Sequence, residues 1–251
     1  TGWRGAKRDG HVPKLPKTLP KTCQPHWTVA LSAKGLGGVA ATEKYVILSD
    51  RELADSTDAF ICLDAQTGKK LWTVRNPALG NLDYGNSPRA TPLIVEQHVY
   101  LHGAFGYLSC VELESGKVVW ELNIRDEYDV GEESKWGTCA SPLLAGGNLI
   151  INPGAKDASL VALNPKTGKT VWKTPGKPAG YGSFIVATFS GVEQIIGYDA
   201  DTLGGWEPKT GKRLWTLKPE NPNDFNVPTP LVYQDKLILS TENNGTRLYQ
   251  F

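Results

Sequence analysis

One short signature recurs four times along this chain, and no other feature restricts the fold so tightly. It reads Leu63-Asp-Ala-Gln-Thr-Gly-Lys-Lys-Leu-Trp72, Leu113-Glu-Ser-Gly-Lys-Val-Val-Trp120, Leu163-Asn-Pro-Lys-Thr-Gly-Lys-Thr-Val-Trp172 and Trp206-Glu-Pro-Lys-Thr-Gly-Lys-Arg-Leu-Trp215. Successive Trp residues are 48, 52 and 43 positions apart, and Trp27 stands 45 before Trp72. Spacings of this size, with alternating apolar strands between, belong to β-propellers, in which each repeat is one radial sheet.

A second element precedes each signature. It runs Ala90-Thr-Pro-Leu-Ile-Val95, Ala140-Ser-Pro-Leu-Leu-Ala145, Gly182-Ser-Phe-Ile-Val-Ala187 and Pro228-Thr-Pro-Leu-Val-Tyr233, with a weaker form at Gly37-Gly-Val-Ala-Ala41. A short turn and another apolar strand follow each copy, so each repeat carries four strands. The innermost is small and apolar, as a crowded axis requires; the middle two suit packing between neighbours. At the signature turn, Asp64, Glu114, Asn164 and Glu207 are placed to bond the backbone ahead, and the Gly supplies positive φ. The Lys that follows charges an outer edge and discourages edge pairing. By period-two alternation the Trp shares a face with the Gly, where it can cover the seam between blades.

These spacings predict an all-β fold of about five blades, with an arm at 1–25 and a propeller domain at 26–251. Trp27-Thr-Val-Ala-Leu31 reads as a fourth strand without three before it, and the last repeat as three strands without a fourth. The first could complete the last and close a ring of five, or both could belong to a longer propeller.

Formal net charge is +1, which gives no global field to recruit nucleic acid. The arm is locally basic and Pro-punctuated and reads as solvated. No apolar run is long enough for a membrane span. Cys62 and Cys110 fall in apolar strands and read as buried free thiols; no cysteine spacing suits zinc. The chain begins at Thr1 with no leader pattern, so a signal peptide is absent from these residues.

The Leu-(Asp/Asn/Glu)-x-x-Thr-Gly-Lys-x-(Leu/Val)-Trp signature resembles the repeat of the pyrroloquinoline-quinone (PQQ) propeller superfamily. That group includes quinoprotein alcohol dehydrogenases, the outer-membrane-assembly lipoprotein, and many bacterial repeat proteins of unassigned role. Trp3-Arg-Gly-Ala-Lys-Arg-Asp-Gly10, Gly197-Tyr-Asp-Ala-Asp-Thr-Leu-Gly-Gly-Trp206 and Phe225-Asn-Val-Pro-Thr-Pro230 are similar to segments of the last subgroup. The resemblance implies seven or eight blades in a complete protein, of which this chain would be a fragment, and an extracytoplasmic location in the periplasm or cell envelope.

Two functions are compatible with it. A PQQ-dependent dehydrogenase would hold the quinone with calcium on the axis and oxidise an alcohol or sugar. The adjacent cysteine pair of those enzymes is missing, and Asp199-Ala-Asp201 and Asn244-Gly245 read as turns rather than metal ligands. His98 and His102 read as a strand-end pair at a blade surface. A non-catalytic binding or scaffold module requires only loops on a rigid frame. The long connections between blades carry Tyr84, Asn86, Arg89, Tyr128, Trp136, Tyr181, Phe225 and Asn226. Of these, Tyr84, Asn86, Arg89, Trp136, Tyr181 and Asn226 are the expected ligand-binding set, for a protein, small-molecule or glycan partner at the axis mouth. Arg89 is expected to point into or beside that mouth.

Overall fold

Five antiparallel sheets follow one another along the chain in a computed structural model, which describes every residue except Thr1, Pro13, Leu15, Glu132, Glu133, Asn223 and Phe225. The first blade is β1 (Ala40–Ala41), β2 (Tyr45–Arg51), β3 (Thr57–Asp64) and β4 (Lys70–Pro77). The second is β5 (Leu93–Val95), β6 (His98–His102), β7 (Tyr107–Glu112) and β8 (Val118–Asn123), followed by one helical turn, α1 (Ile124–Glu127). The third is β9 (Leu143–Ala145), β10 (Asn148–Ile151), β11 (Leu160–Leu163) and β12 (Thr170–Thr174). The fourth is β13 (Ile185–Phe189), β14 (Val192–Tyr198), β15 (Leu203–Trp206) and β16 (Arg213–Leu217). The fifth has three strands, β17 (Leu231–Tyr233), β18 (Lys236–Thr241) and β19 (Gly245–Gln250). Within each sheet, strands pair in chain order. This is the all-β propeller that the repeat predicts.

The core is divided among the seams. Ile47, Phe60 and Cys62 of the first blade meet Ile94, Val99 and Val111 of the second. Tyr100, Leu108 and Cys110 of the second meet Leu149, Ile151 and Val161 of the third. Ile150, Leu160 and Trp172 meet Phe184, Ile195 and Trp206, and Ile196, Tyr198 and Leu203 meet Leu237 and Leu239. Along β10, Leu149 and Ile151 serve one seam and Ile150 the next. Period-two alternation sends neighbouring side chains to opposite faces, and both faces are buried, so the strand is apolar throughout.

A single device repeats at the outer edge of the seams. The Trp27 indole N–H donates to the carbonyl of Ala65 at 3.0 Å, Trp72 to Leu113 at 3.0 Å, Trp120 to Pro165 at 2.9 Å and Trp172 to Pro208 at 3.1 Å. Each acceptor lies three residues before the signature Gly of the following blade. Those glycines, Gly68, Gly116, Gly168 and Gly211, have φ near +70°, and a Cβ on any of them would come within 2.7 Å of the indole. Glycine is thus required twice, by its conformation and by the ring lying on it. In the ladder, Trp72, Trp120, Trp172 and Trp215 stand opposite Cys62, Cys110, Ala162 and Gly205, beside a bulge in each case. The small partner leaves room for the ring. This explains why two cysteines are buried in strands, and both are free thiols as expected.

The turn itself is held from within. Asp64 Oδ1 accepts from the Gln66 and Thr67 amides, and Asn164 Oδ1 from those of Lys166 and Thr167. In the second blade this position belongs to Glu112, not Glu114: Gly116 N–H donates to Glu112 O, and Ser115 Oγ to Glu112 Oε2. That register comes from the turn, which is fixed by distance to the Gly rather than by the preceding Leu.

Three expectations need correcting. Trp27–Leu31, expected as a fourth strand, joins no ladder. The segment is held instead by the Trp27 indole and by Asp50, whose carboxylate accepts from Ser32 and Ala33 amides. The arm is not solvated throughout: Gly5, Ala6 and Lys7 are exposed, but Arg8 is 5% exposed and inserted between blades. His102 is not a surface residue: it is buried, and burial pushes its imidazole down to about 4.

Candidate functional site

The heads of the inner strands are stitched together by hydroxyls. Thr91 N–H donates to Ser141 Oγ at 2.9 Å, and Ser141 N–H to Ser183 Oγ at 3.0 Å. Ser141 and Ser183 thus accept from the preceding inner-strand head, whereas the Thr91 hydroxyl is buried without a partner, and these bonds fix where the long connections between blades end. Those connections gather on one face around a cavity of about 510 Å³, lined by Arg125, Lys135, Thr138, Asn152, Tyr181 and Asp224 among others.

Tyr84, Trp136 and Tyr181, from three successive connections, form a row along this face. The Tyr84 and Trp136 ring centroids are 6.1 Å apart, and those of Trp136 and Tyr181 are 4.5 Å apart. The backbone keeps the loops in register: Asp83 N–H donates to Lys135 O, Thr138 N–H to Ala104 O, and the Tyr181 and Gly182 amides both donate to Asn226 O. Tyr84 is 80% exposed and sits at φ +68°. Left-handed backbone is costly for a bulky residue and is concentrated at functional sites.

The other three expected residues serve the loops themselves. Asn86 accepts from Leu82 N–H and donates to Asp55 Oδ2. Asn226 donates to the carbonyls of Asp199 and Ala200 and lines the cavity with Ala200 and Asp224. Arg89 bends back over its own connection, donating to the carbonyls of Asp83, Ser87 and Gly85. Tyr128 is a core residue whose hydroxyl meets Thr170 Oγ1. Phe225 lies outside the described residues.

Sequence reading missed a charged network behind the rim. Arg51, 2% exposed, donates to Asp58 Oδ1 and Asp55 Oδ1 at 2.7 Å each, and to the carbonyls of Asp55 and Ala78. Asp58 Oδ2 is buried without a partner, and desolvation raises this carboxyl to about 6 despite the guanidinium. An Arg-Glu-Leu-Ala-Asp stretch ending a strand gives no signal of such burial.

Chemically the face is equipped to bind. Cys139 is raised to about 11 by burial and so is held as a thiol, while His102 is neutral and its ring nitrogens are shielded from solvent. Neither makes a nucleophile or a base at the cavity. Among the described residues the lining holds one carboxylate, Asp224, already accepting from Asn244 Nδ2 at 2.6 Å. Calcium takes about six to eight oxygen ligands, so these residues do not fit a calcium–quinone pair. Asp199 and Asn244 do serve turns: Asp199 Oδ1 accepts from the Asp201 and Thr202 amides, and Gly245 has φ +66°.

The family described as "Outer membrane protein assembly factor BamB" matches residues 13–152 and 156–251. The quinoprotein alcohol dehydrogenase PedH of Pseudomonas putida is 29% identical over 143 residues, 51% of this chain and 22% of that protein. The outer membrane protein assembly factor BamB of Salmonella typhimurium is 30% identical over 87 residues, 33% of this chain and 21% of that one. The crystal structure of BamB from Moraxella catarrhalis superposes with a TM-score of 0.60 at 21% identity, over 86% of this chain and 58% of that chain. The chain thus matches about a fifth of the length of these curated relatives.

Proposed function

Because the chain belongs to the family of the outer membrane protein assembly factor BamB, we propose that this PQQ-like repeat propeller is a non-catalytic, extracytoplasmic binding module whose loop face holds a protein partner. The observation that carries this reading is the Tyr84–Trp136–Tyr181 row, three rings from three successive connections held in register beside a cavity. Aromatic side chains supply large contact area at small entropic cost, and such clusters dominate interface energetics. Lys135 and Arg125 at the same cavity add charge that orients a partner. The family resemblance supports the extracytoplasmic location.

A photocrosslinking residue placed at position 84 tests the reading in the cell envelope. We expect a protein adduct that disappears when Trp136→Ala is added. An adduct indifferent to Trp136→Ala, or none, removes the proposal. Calorimetry with PQQ and calcium tests the dehydrogenase alternative, and binding at about micromolar affinity or tighter, roughly −8 kcal/mol, would restore it.

A further inference from the structure

The Trp3-Arg-Gly-Ala-Lys-Arg-Asp-Gly10 segment has a receptor inside the propeller. Arg8 donates to the carbonyls of Ser141 at 3.2 Å and Phe184 at 2.8 Å, and also to that of Pro142. The Trp3 indole N–H donates to Thr229 Oγ1 at 2.9 Å. Gly2 lies so close to the second blade that a Cβ there would be 3.0 Å from Leu93 Cδ1. These contacts fall on four consecutive blades and at matching places in the repeat, the head of each inner strand. Farther along the same strands, Ala6, Lys7 and Asp9 face Leu143, Ile185, Ala187 and Val232.

The segment is folded to make these contacts. Gly5 N–H donates to Gly2 O, Arg8 N–H to Gly5 O and Gly10 N–H to Arg4 O, so residues 2–10 form a closed loop. Gly5 and Gly10 have φ of +86° and +69°, which accounts for the two glycines of the motif. Arg4 and Arg8 also adopt left-handed backbone, at +58° and +56°, a strain that persists only where surroundings impose it. No ion pair involves Arg8 among the described residues, and its charge rests on three carbonyl dipoles. Such a planar fork of donors matches a cage of carbonyls in a way an ammonium does not.

We infer that the inner-strand heads of the second to fifth blades form a peptide-recognition site for a segment with a Trp and an Arg five residues apart, which this chain fills with its own residues 2–10. The site is separate from the aromatic row, and it receives an arginyl peptide through backbone carbonyls and one threonine hydroxyl.

Trypsin provides the test on the full chain carrying Lys7→Gln, which removes the exposed cleavage site within the segment, because Lys14, Lys17 and Lys21 are exposed whereas Arg8 is buried. After cleavage there, we expect the fragment carrying residues 2–10 to co-elute with the folded propeller in gel filtration. A synthetic Gly2–His11 peptide in excess should displace it, and the same peptide with Arg8→Lys should be about ten-fold weaker. Arg8→Ala in the chain should release the fragment on cleavage, and Trp3→Ala should do the same if Arg8→Ala does not fold. Loss of the unaltered fragment from a folded body, or equal displacement by a scrambled peptide, overturns the inference.

Discussion

His102 and Asp58 are buried titratable groups whose effects on stability oppose each other. His102 is lowered from 6.5 to about 4, so its contribution is full above 6.5 and is lost as pH falls toward 4. Asp58 is raised from 3.8 to about 6, so its contribution is full below 3.8 and is lost as pH rises through 6. The two slopes have opposite sign between about pH 4 and 6 and offset one another there. We expect His102→Leu to leave a chain that gains stability as pH falls through this window, and Asp58→Asn one that loses it. Urea melts at several pH values check this, and parallel curves for both variants would refute it. Gly168 makes a second prediction: Ala there must hold φ +69° and push Trp120 aside, costing about 2–3 kcal/mol. A loss under half of that in the same melts would show that the indole moves freely.

At the level of the element, the working unit is the outer strand with its indole, docked on the turn of the next blade. Trp172 is 9% exposed and has the full set: a carbonyl acceptor at Pro208, a glycine beneath it and a small partner across the ladder. Trp215 meets no signature turn among the described residues. Its indole N–H donates to Gln194 Oε1 within its own blade, and its ring leans on Phe251. Trp172→Ala should therefore cost about 3–5 kcal/mol, as large aromatic truncations in cores do, and Trp215→Ala clearly less. Equal losses in denaturant melts would mean that burial alone, not docking on the next turn, sets the value. The same unit accounts for Trp27, which keeps its seat on the first blade although its strand has no ladder to join.

For the whole molecule, blade order is set by seams, each a separate apolar core between two sheets. Stability of such arrays is close to a sum of units and nearest-neighbour interfaces. The arm adds contacts that skip neighbours, since Gly2 touches the second blade and Trp3 the fifth. Trp3→Ala should accordingly speed hydrogen exchange in β17 and β18 while leaving β2 and β3 unchanged. Uniform acceleration across all blades would contradict that view.

The sequence by itself determined the repeat, the four strands of each full blade, the glycine corner and the buried thiols, because these are local consequences of alternation, turn chemistry and volume. It also named Tyr84, Trp136 and Tyr181, because aromatics in long loops between rigid strands stand out without coordinates. Tertiary structure alone decided which of the loop residues meet. It turned Arg89 back on its own carbonyls, gave Asn86 and Asn226 to loop anchoring, and buried Arg8, Arg51 and Asp58. Burial of Arg8 is imposed by residues far away in the chain, and even near partners such as Asp55 and Asp58 for Arg51 are selected by how the loop folds, which no periodicity encodes.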